Sequence, residues 1–358
     1  MNRDQAKRLI QKCLPALKAS GNDTENLENQ LSSDGDVKNK IKVRNICRLW
    51  GGMGYVYSLS LADNTIVVKR VSPLSPNKRK SLSDRRKADS YEVEANFYEN
   101  LANYLLQERG LDIPQPLHVE RDDGITICMS KVHGCVRGID EDETRVVLQW
   151  LATLHAASWG IKADEAVEEY GLQPIGTYWH LDTRPDEYSS IRNSGWEGRL
   201  KRAARAIDER LKRDKMQCCV HGDAKDANML FYFKDSIQRK DNLRVSMYDF
   251  QYCGKGPPTK DLAYFFCVAA HDNSSDYVVY YHNELLKRLE SGAYRPTLEE
   301  LNDSLQLSYC DWARFMAGWG FWGIDISDKV ILVLDRLDGG VNLGTENAYD
   351  EAIRREYG

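Results

Sequence analysis

Residues 216–250 contain three consecutive pieces: a short apolar run, MQCCV (216–220); a polar loop, His221-Gly222-Asp223-Ala224-Lys225-Asp226-Ala227-Asn228; and a second apolar run, MLFYF (229–233). A polar turn, KDSIQRKDN (234–242), separates that run from LRVSMYDF (243–250). The two runs flanking the turn read as a β-hairpin. In the second strand Leu243, Val245, Met247 and Asp249 share one face, because side chains alternate with a period of two. In an antiparallel hairpin the start of one strand lies beside the end of the other. The pattern therefore predicts that Asn228 and Asp249 are neighbours, with Asp223 on the loop just before them. Two acids and an amide oxygen are expected at one end of the hairpin.

These are hard oxygen ligands. Asn228 and Asp249 suit Mg²⁺, which takes few protein carboxylates and leaves room for phosphate oxygens. Asp223 is then the carboxylate left to orient a hydroxyl and accept its proton. That division of labour is what phosphoryl transfer requires. The ordered set D-x-K-x-x-N followed by D-F-x resembles the catalytic and metal loops of the protein-kinase-like fold. The HGD opening, with Asp249-Phe250-Gln251 in the D-F-x position, is similar to the aminoglycoside phosphotransferase and choline kinase superfamily, and most of all to its ecdysteroid-kinase-like (CHK-like) branch. The resemblance covers about residues 41–337.

It implies an α+β, protein-kinase-like bilobal fold: a small five-stranded N-lobe with one main helix, and a larger, mostly helical C-lobe. It also implies ATP and Mg²⁺ as cofactors and further site residues. Lys69, ending the strand TIVVK, is implied to reach the ATP phosphates. Glu94 on the next helix is implied to pair with it, with Glu92 and Glu99 as rivals for that role. Gly51, Gly52 and Gly54 match the glycine-rich turn, where backbone N–H groups approach phosphate closely. Residues 129–132, from Met129 to Val132, match the hinge beside adenine. Asp261, in KDLAYF, matches the acid that holds the catalytic loop. Lys225 either touches the γ-phosphate or is solvated, His221 fixes the loop, and His155 lies in the core or behind the site.

The rest of the chain fits this division. Runs at 41–50, 55–61 and 65–71, rich in β-branched and aromatic residues, predict strands, with Ala62-Asp63-Asn64 as a hairpin turn. Val93, Phe97, Leu101 and Leu105 recur every fourth residue and predict a helix over 89–109, stopped by Gly110. Two more strands follow, up to residue 132. Later helices are expected at 140–158, 196–213, 259–271, 275–290, 297–317 and 327–337. Residues 1–40 read as an amphipathic helix followed by a polar linker, 41–132 as the nucleotide-binding lobe, and 133–358 as the lobe with the catalytic loop, metal loop and acceptor site. The basic segment 73–87 reads as a solvated connection, with a nuclear-import or phosphate-binding patch as the alternative.

Composition excludes several classes. The 358 residues carry 49 Lys+Arg against 54 Asp+Glu, a formal charge of −5, which argues against nonspecific nucleic-acid binding. No apolar run approaches the ~20 residues of a membrane span. Nine scattered cysteines without a C-x-x-C pair, and no export signal, point to reduced thiols in a cytoplasmic protein. There is no P-loop and no G-x-S-x-G. Only about a dozen residues separate Asp249 from Asp261, with no A-P-E, so a peptide substrate has little room. The expected acceptor is a small molecule with a hydroxyl, lying toward the C-terminal helices. Tyr309, Asp311, Trp312, Trp319 and Trp322 are its candidate contacts. The aromatic ones fit either a site for a quaternary-ammonium or amphipathic alcohol or simple helix core. The competing readings are a catalytically silent nucleotide- or metabolite-binding pseudokinase and a protein kinase. Oligomeric state is not legible.

Overall fold

Alternation along β2 (Gly54–Leu61) and β3 (Asn64–Val71) sets the architecture of the N-terminal half. Leu59, Leu61, Ile66 and Val68 point to one face, and Lys69 and Val71 alternate with them across the sheet. The computed structural model describes residues 1–32, 40–73, 82–183, 185–234, 242–270, 275–320 and 326–358. It divides into two compact units: Met1–Gly134 with Ser246–Gln251, and Cys135–Val245 with Tyr252–Gly358.

The first unit carries a five-stranded antiparallel sheet, adding β1 (Lys42–Arg48), β4 (Pro116–Glu120) and β5 (Ile125–Ser130), in the order β1-β2-β3-β5-β4. The β2–β3 turn narrows to Ala62-Asp63, since Leu61 pairs directly with Asn64. One face of the sheet is covered by α1 (Arg3–Ala19), which opens on a capping box between Asn2 and Gln5. Leu9, Ile10, Cys13 and Leu17, three to four apart, form its apolar stripe against Leu59, Ile66, Val68, Leu117 and Cys128. Arg8 and Lys12 each reach Glu120 on β4 at 2.6 Å.

The polar stretch after α1 is not all linker: α2 (Glu25–Ser32) forms within it and buries Leu27 and Leu31 in the same core. Two leucines four apart suffice to seat one helix edge, and average composition hides them. The opposite face of the sheet carries α3 (Leu82–Asn96), which passes through a single π turn at Phe97–Leu101 into α4 (Ala102–Gln107). Val93, Phe97, Leu101 and Leu105 are all buried, as their spacing predicts. Phe97 stacks on Phe250 at 3.7 Å between ring centroids. Residues 74–81 of the basic segment lie outside the described residues.

The second unit is mostly helical: α5 (Glu141–Ala157), capped by the Asp140 carboxylate, α6 (Ile161–Glu168), α7 (Pro185–Ser190), α8 (Gly195–Lys212), α9 (Thr259–Phe265), α10 (Ser275–Arg288), α11 (Leu298–Ala317), α12 (Ser327–Asp338) and α13 (Glu346–Tyr357). Helix α11 packs against α8, α9 and α12, and α5 against α10. Between the helices lie β6 (Cys218–Val220) and the hairpin of β7 (Met229–Phe233) with β8 (Leu243–Met247). A further short strand, β9 (Gly254–Gly256), pairs antiparallel with β6. No helix among the described residues is long and apolar enough to cross a membrane.

Candidate active site

The loop between β6 and β7 is held from behind by one carboxylate. Asp261, in the first turn of α9, accepts the backbone N–H of His221 at 2.6 Å on Oδ2 and that of Gly222 at 2.9 Å on Oδ1. His155 Nε2 meets Oδ2 at 3.1 Å, and His155 Nδ1 lies 2.7 Å from the Tyr281 hydroxyl. Burial holds the Tyr281 phenol well above its ordinary pKa, so it keeps its proton and donates to Nδ1. The imidazole proton then sits on Nε2 and is donated to Asp261. His221 accepts the Asp223 N–H at Nδ1, at 3.3 Å, and packs edge-on against Trp150.

Gly222 adopts φ 80°, and a Cβ there would lie 2.2 Å from the Tyr252 carbonyl oxygen. The same carbonyl accepts the N–H of Thr177, a β-branched residue at φ 85°. Left-handed backbone at such a residue is costly and persists only where the surroundings fix it.

What this loop presents is Asp223, only 3% exposed. Its Oδ2 accepts from Lys225 Nζ at 2.7 Å and from Asn228 Nδ2 at 3.1 Å. Its Oδ1 accepts from the Tyr264 hydroxyl at 2.9 Å. Asn228 also donates Nδ2 to the Asp223 carbonyl at 2.9 Å. The Asn228 amide nitrogen is thus spent on Asp223, which leaves its Oδ1 as the atom with donor character toward a hard cation. Tyr264 was not singled out from sequence. The signal was present, since Asp261 and Tyr264 are three apart on a helix and share a face.

The first unit assembles a second set. Lys69 Nζ lies 2.5 Å from Glu94 Oε2 and 2.8 Å from Asp249 Oδ1. Lys69 and Glu94 are 6% and 1% exposed. Burial alone would lower the Lys69 pKa, but the Asp249 and Glu94 carboxylates outweigh it and hold the ammonium above the ordinary lysine range. Burial, reinforced by Asp249, pushes Glu94 up to about 7 against the pull of Lys69. Two carboxylates share one ammonium here, so the second acid resists ionising. Glu92 and Glu99 instead both bind Arg121, which separates them from the Lys69 role. Asp249 sits at φ 71°, a left-handed conformation that Asp tolerates better than most residues. Gln251 Nε2 donates to Asp249 Oδ1 at 2.5 Å and Ser90 donates to Gln251 Oε1 at 3.1 Å, contacts unforeseen from sequence.

The glycine turn follows β1. Gly51 and Gly52 have φ of 64° and 69°, and a Cβ on Gly52 would lie 2.7 Å from an Arg48 guanidinium nitrogen. Met129 is buried in β5, opposite Val67 of β3, and Val132 is half-buried just beyond that strand.

The candidate acceptor residues divide. Tyr309 is buried, with the Lys329 ammonium 5.1 Å above its ring. Asp311 is buried and bound at Oδ1 by Arg314 at 2.5 Å, with Lys260 at 3.5 Å from Oδ2. Burial works against its ionisation, but Arg314 and Lys260 prevail and keep its pKa below the usual carboxylate range. Trp312 is 2% exposed and packs edge-on against Tyr264 at 5.0 Å. Trp319 is 41% exposed. Trp322 lies outside the described residues.

Solved structures with the same fold include a candidate aminoglycoside phosphotransferase from Ralstonia eutropha JMP134, at 14% identity and a TM-score of 0.50, with 93% of this chain and 98% of that one covered. The GDP and kanamycin complex of APH(2")-IIia matches at 14% identity and a TM-score of 0.50, covering 82% of this chain and 92% of that one. A search of curated proteins returned no significant match. A family model described as "APH: Phosphotransferase enzyme family" matches residues 49–300. That span takes in the catalytic-type loop pinned by Asp261, the Lys69 ion triad and the hairpin joining Asn228 to Asp249. The chain belongs to this phosphotransferase enzyme family.

Proposed function

We propose that the protein is an ATP- and Mg²⁺-dependent phosphotransferase acting on a hydroxyl group of a small molecule in the cytoplasm. The observation that carries this reading is Asp223, a buried carboxylate oriented through both oxygens on a loop whose backbone is itself pinned. In this role Asp223 aligns the acceptor hydroxyl and takes its proton as the hydroxyl oxygen bonds to the γ-phosphorus and the bond from that phosphorus to the bridging oxygen breaks, releasing ADP. Lys225, ion-paired with Asp223, contributes positive charge at the transferring phosphoryl group. Lys69, oriented by Glu94, grips the nucleotide phosphates, and the Gly51, Gly52 and Gly54 turn offers backbone N–H groups to them. The stretch from Met129 to Val132 lines the base. Asn228 Oδ1 and the Asp249 carboxylate are the oxygen donors assigned to Mg²⁺, which when bound neutralises phosphate charge. His221 and Asp261 act through the loop backbone. Seven of the nine free cysteines are buried, in keeping with a reducing compartment.

The acidic candidate Asp311 is neutralised by Arg314 and Lys260 within the protein. Aromatic rings surround Tyr264. The test is an assay with labelled MgATP over a panel containing a quaternary-ammonium alcohol, an amino alcohol, an amino sugar and a sterol, followed by mass identification of the product. Asp223→Asn is expected to lower turnover roughly 10²–10⁴-fold with nucleotide binding retained, the range for a general base. Turnover near that of the wild type would remove Asp223 from the mechanism. MgATP binding without transfer to any acceptor would favour a silent binding module, and labelling of protein substrates alone would favour a protein kinase.

A further inference from the structure

The Asp223 carboxylate has four lone pairs, and donors among the described residues account for three of them. Lys225 and Asn228 both donate to Oδ2, at 2.7 and 3.1 Å. Tyr264 donates to Oδ1 at 2.9 Å. One lone pair on Oδ1 therefore remains for an incoming hydroxyl. Tyr264 is 3% exposed, and burial, with the adjacent Asp223 charge, holds its phenol well above its ordinary pKa. Its single proton stays on the phenol and points at Asp223. The Tyr178 hydroxyl lies 3.1 Å from the Tyr264 hydroxyl. Since Tyr264 spends its proton on Asp223, Tyr178 is the donor in that second bond. The Tyr264 ring is fixed by Trp312 at 5.0 Å and Tyr178 at 5.8 Å, both edge-on. The phenol is therefore anchored at its ring as well as at its oxygen.

We infer that Tyr264 is a positioning residue for the transfer step: its hydroxyl fixes the plane of the Asp223 carboxylate so that the open lone pair of Oδ1 meets the acceptor hydroxyl, with Tyr178 as the outer link of the same chain. Without the phenol, Oδ1 loses the one partner it has among the described residues, while Oδ2 keeps both of its own. The carboxylate is then held through one oxygen alone and can tilt, so that the proton-accepting oxygen leaves its line. The inference rests on Asp223 being the general base.

The test compares wild type, Tyr264→Phe, Tyr178→Phe, Asp223→Asn and the Asp223→Asn/Tyr264→Phe double variant. Turnover is read on labelled MgATP with water as nucleophile and with the acceptor panel above. Tyr264→Phe keeps the ring and its packing. It is expected to lower kcat roughly 10- to 100-fold, the scale for misplacing a reacting group by up to about 1 Å. The KM for MgATP and the melting temperature should stay at wild-type values. Tyr178→Phe, one bond further out, should lower kcat less. In the Asp223→Asn background the Tyr264 substitution should have no further effect, whereas a merely structural role would add its own loss. If Asp223→Asn is impaired but Tyr264→Phe turns over at the wild-type rate, or if the two losses multiply, the inference falls and the proposed function stands. If Asp223→Asn keeps its turnover, or the wild type transfers phosphate neither to water nor to any acceptor of the panel, both fall together.

Discussion

Replacing Asp261 with Asn tests the most consequential buried contact in the second unit. The carboxylate serves three donors: the N–H groups of His221 and Gly222, at 2.6 and 2.9 Å, and His155 Nε2 at 3.1 Å. An amide is nearly isosteric but has one acceptor oxygen and two donor hydrogens. Oriented toward His221 and His155, it points its NH₂ at the Gly222 N–H. Flipped, it opposes two donors instead of one. In either pose at least one buried N–H loses its partner, at about 1–3 kcal/mol, and the surviving bonds lose charge assistance, which roughly halves them. The sum is about 3–5 kcal/mol, a large share of the 5–15 kcal/mol typical of a whole domain. Because the chain has two units, global denaturation need not be one transition. The direct assay is amide hydrogen exchange at His221 and Gly222. Exchange at these two amides should speed up by roughly 100- to 4,000-fold in Asp261→Asn, since each 1.4 kcal/mol is tenfold. Exchange on the β2–β3 hairpin should not change. Wild-type protection at both amides would mean that the carboxylate does not hold the loop.

Three further outcomes follow from named contacts. Glu94 has its pKa raised from 4.5 to about 7, so its contribution to stability is complete below about 4.5 and is lost as pH rises through about 7. The wild type should therefore lose about 3 kcal/mol relative to Glu94→Gln between pH 4.5 and 7 at about 1.4 kcal/mol per pH unit, and parallel denaturation profiles across that range would refute this. In Gly222→Ala the new methyl would stand 2.2 Å from the Tyr252 carbonyl oxygen at a φ of 80°; several kcal/mol of local destabilisation and loss of turnover are expected, and a fully active, equally stable variant would show that the loop shifts freely. Leu27→Ala should cost about 2–5 kcal/mol in thermal or urea unfolding, the range for a buried leucine, since Leu27 is fully buried in the core shared by α1, α2 and the sheet. A loss under ~0.5 kcal/mol would return residues 25–32 to the status of linker.

What the sequence disclosed and what it withheld differ in physical kind. The β3 alternation and the fourfold spacing of Val93, Phe97, Leu101 and Leu105 are local periodicities, and they survive intact in the structure. Local signals also mark the loop, since a glycine and five polar side chains stand between two apolar runs. Glu94 was separable from Glu92 and Glu99 only by tertiary geometry, because all three lie on one helical segment and the choice depends on where Arg121 and Lys69 stand. The small elements were missed because their energy comes from pairing and not from composition. The strand β9 consists of Gly254-Lys255-Gly256 and is defined by its pairing with β6 on one side and a bridge to Gln173 on the other, while α2 depends on two leucines meeting a core built by distant strands. Asp311 illustrates the limit most sharply. Its position on α11 among aromatic residues made it a candidate acceptor contact, yet Arg314 on the same helix and Lys260, some fifty residues earlier, already neutralise it. A buried acid is held ionised when cations or N–H donors of the protein's own compensate the loss of water. An acid closed off by such partners, as Asp311 is, has little left to offer an acceptor. Asp223 escapes that constraint because hydrogen bonds from Tyr264 and Asn228, together with Lys225, stabilise it while one lone pair stays open. That remaining valence, and not acidity or burial alone, distinguishes a carboxylate poised to take a proton from one that closes a core.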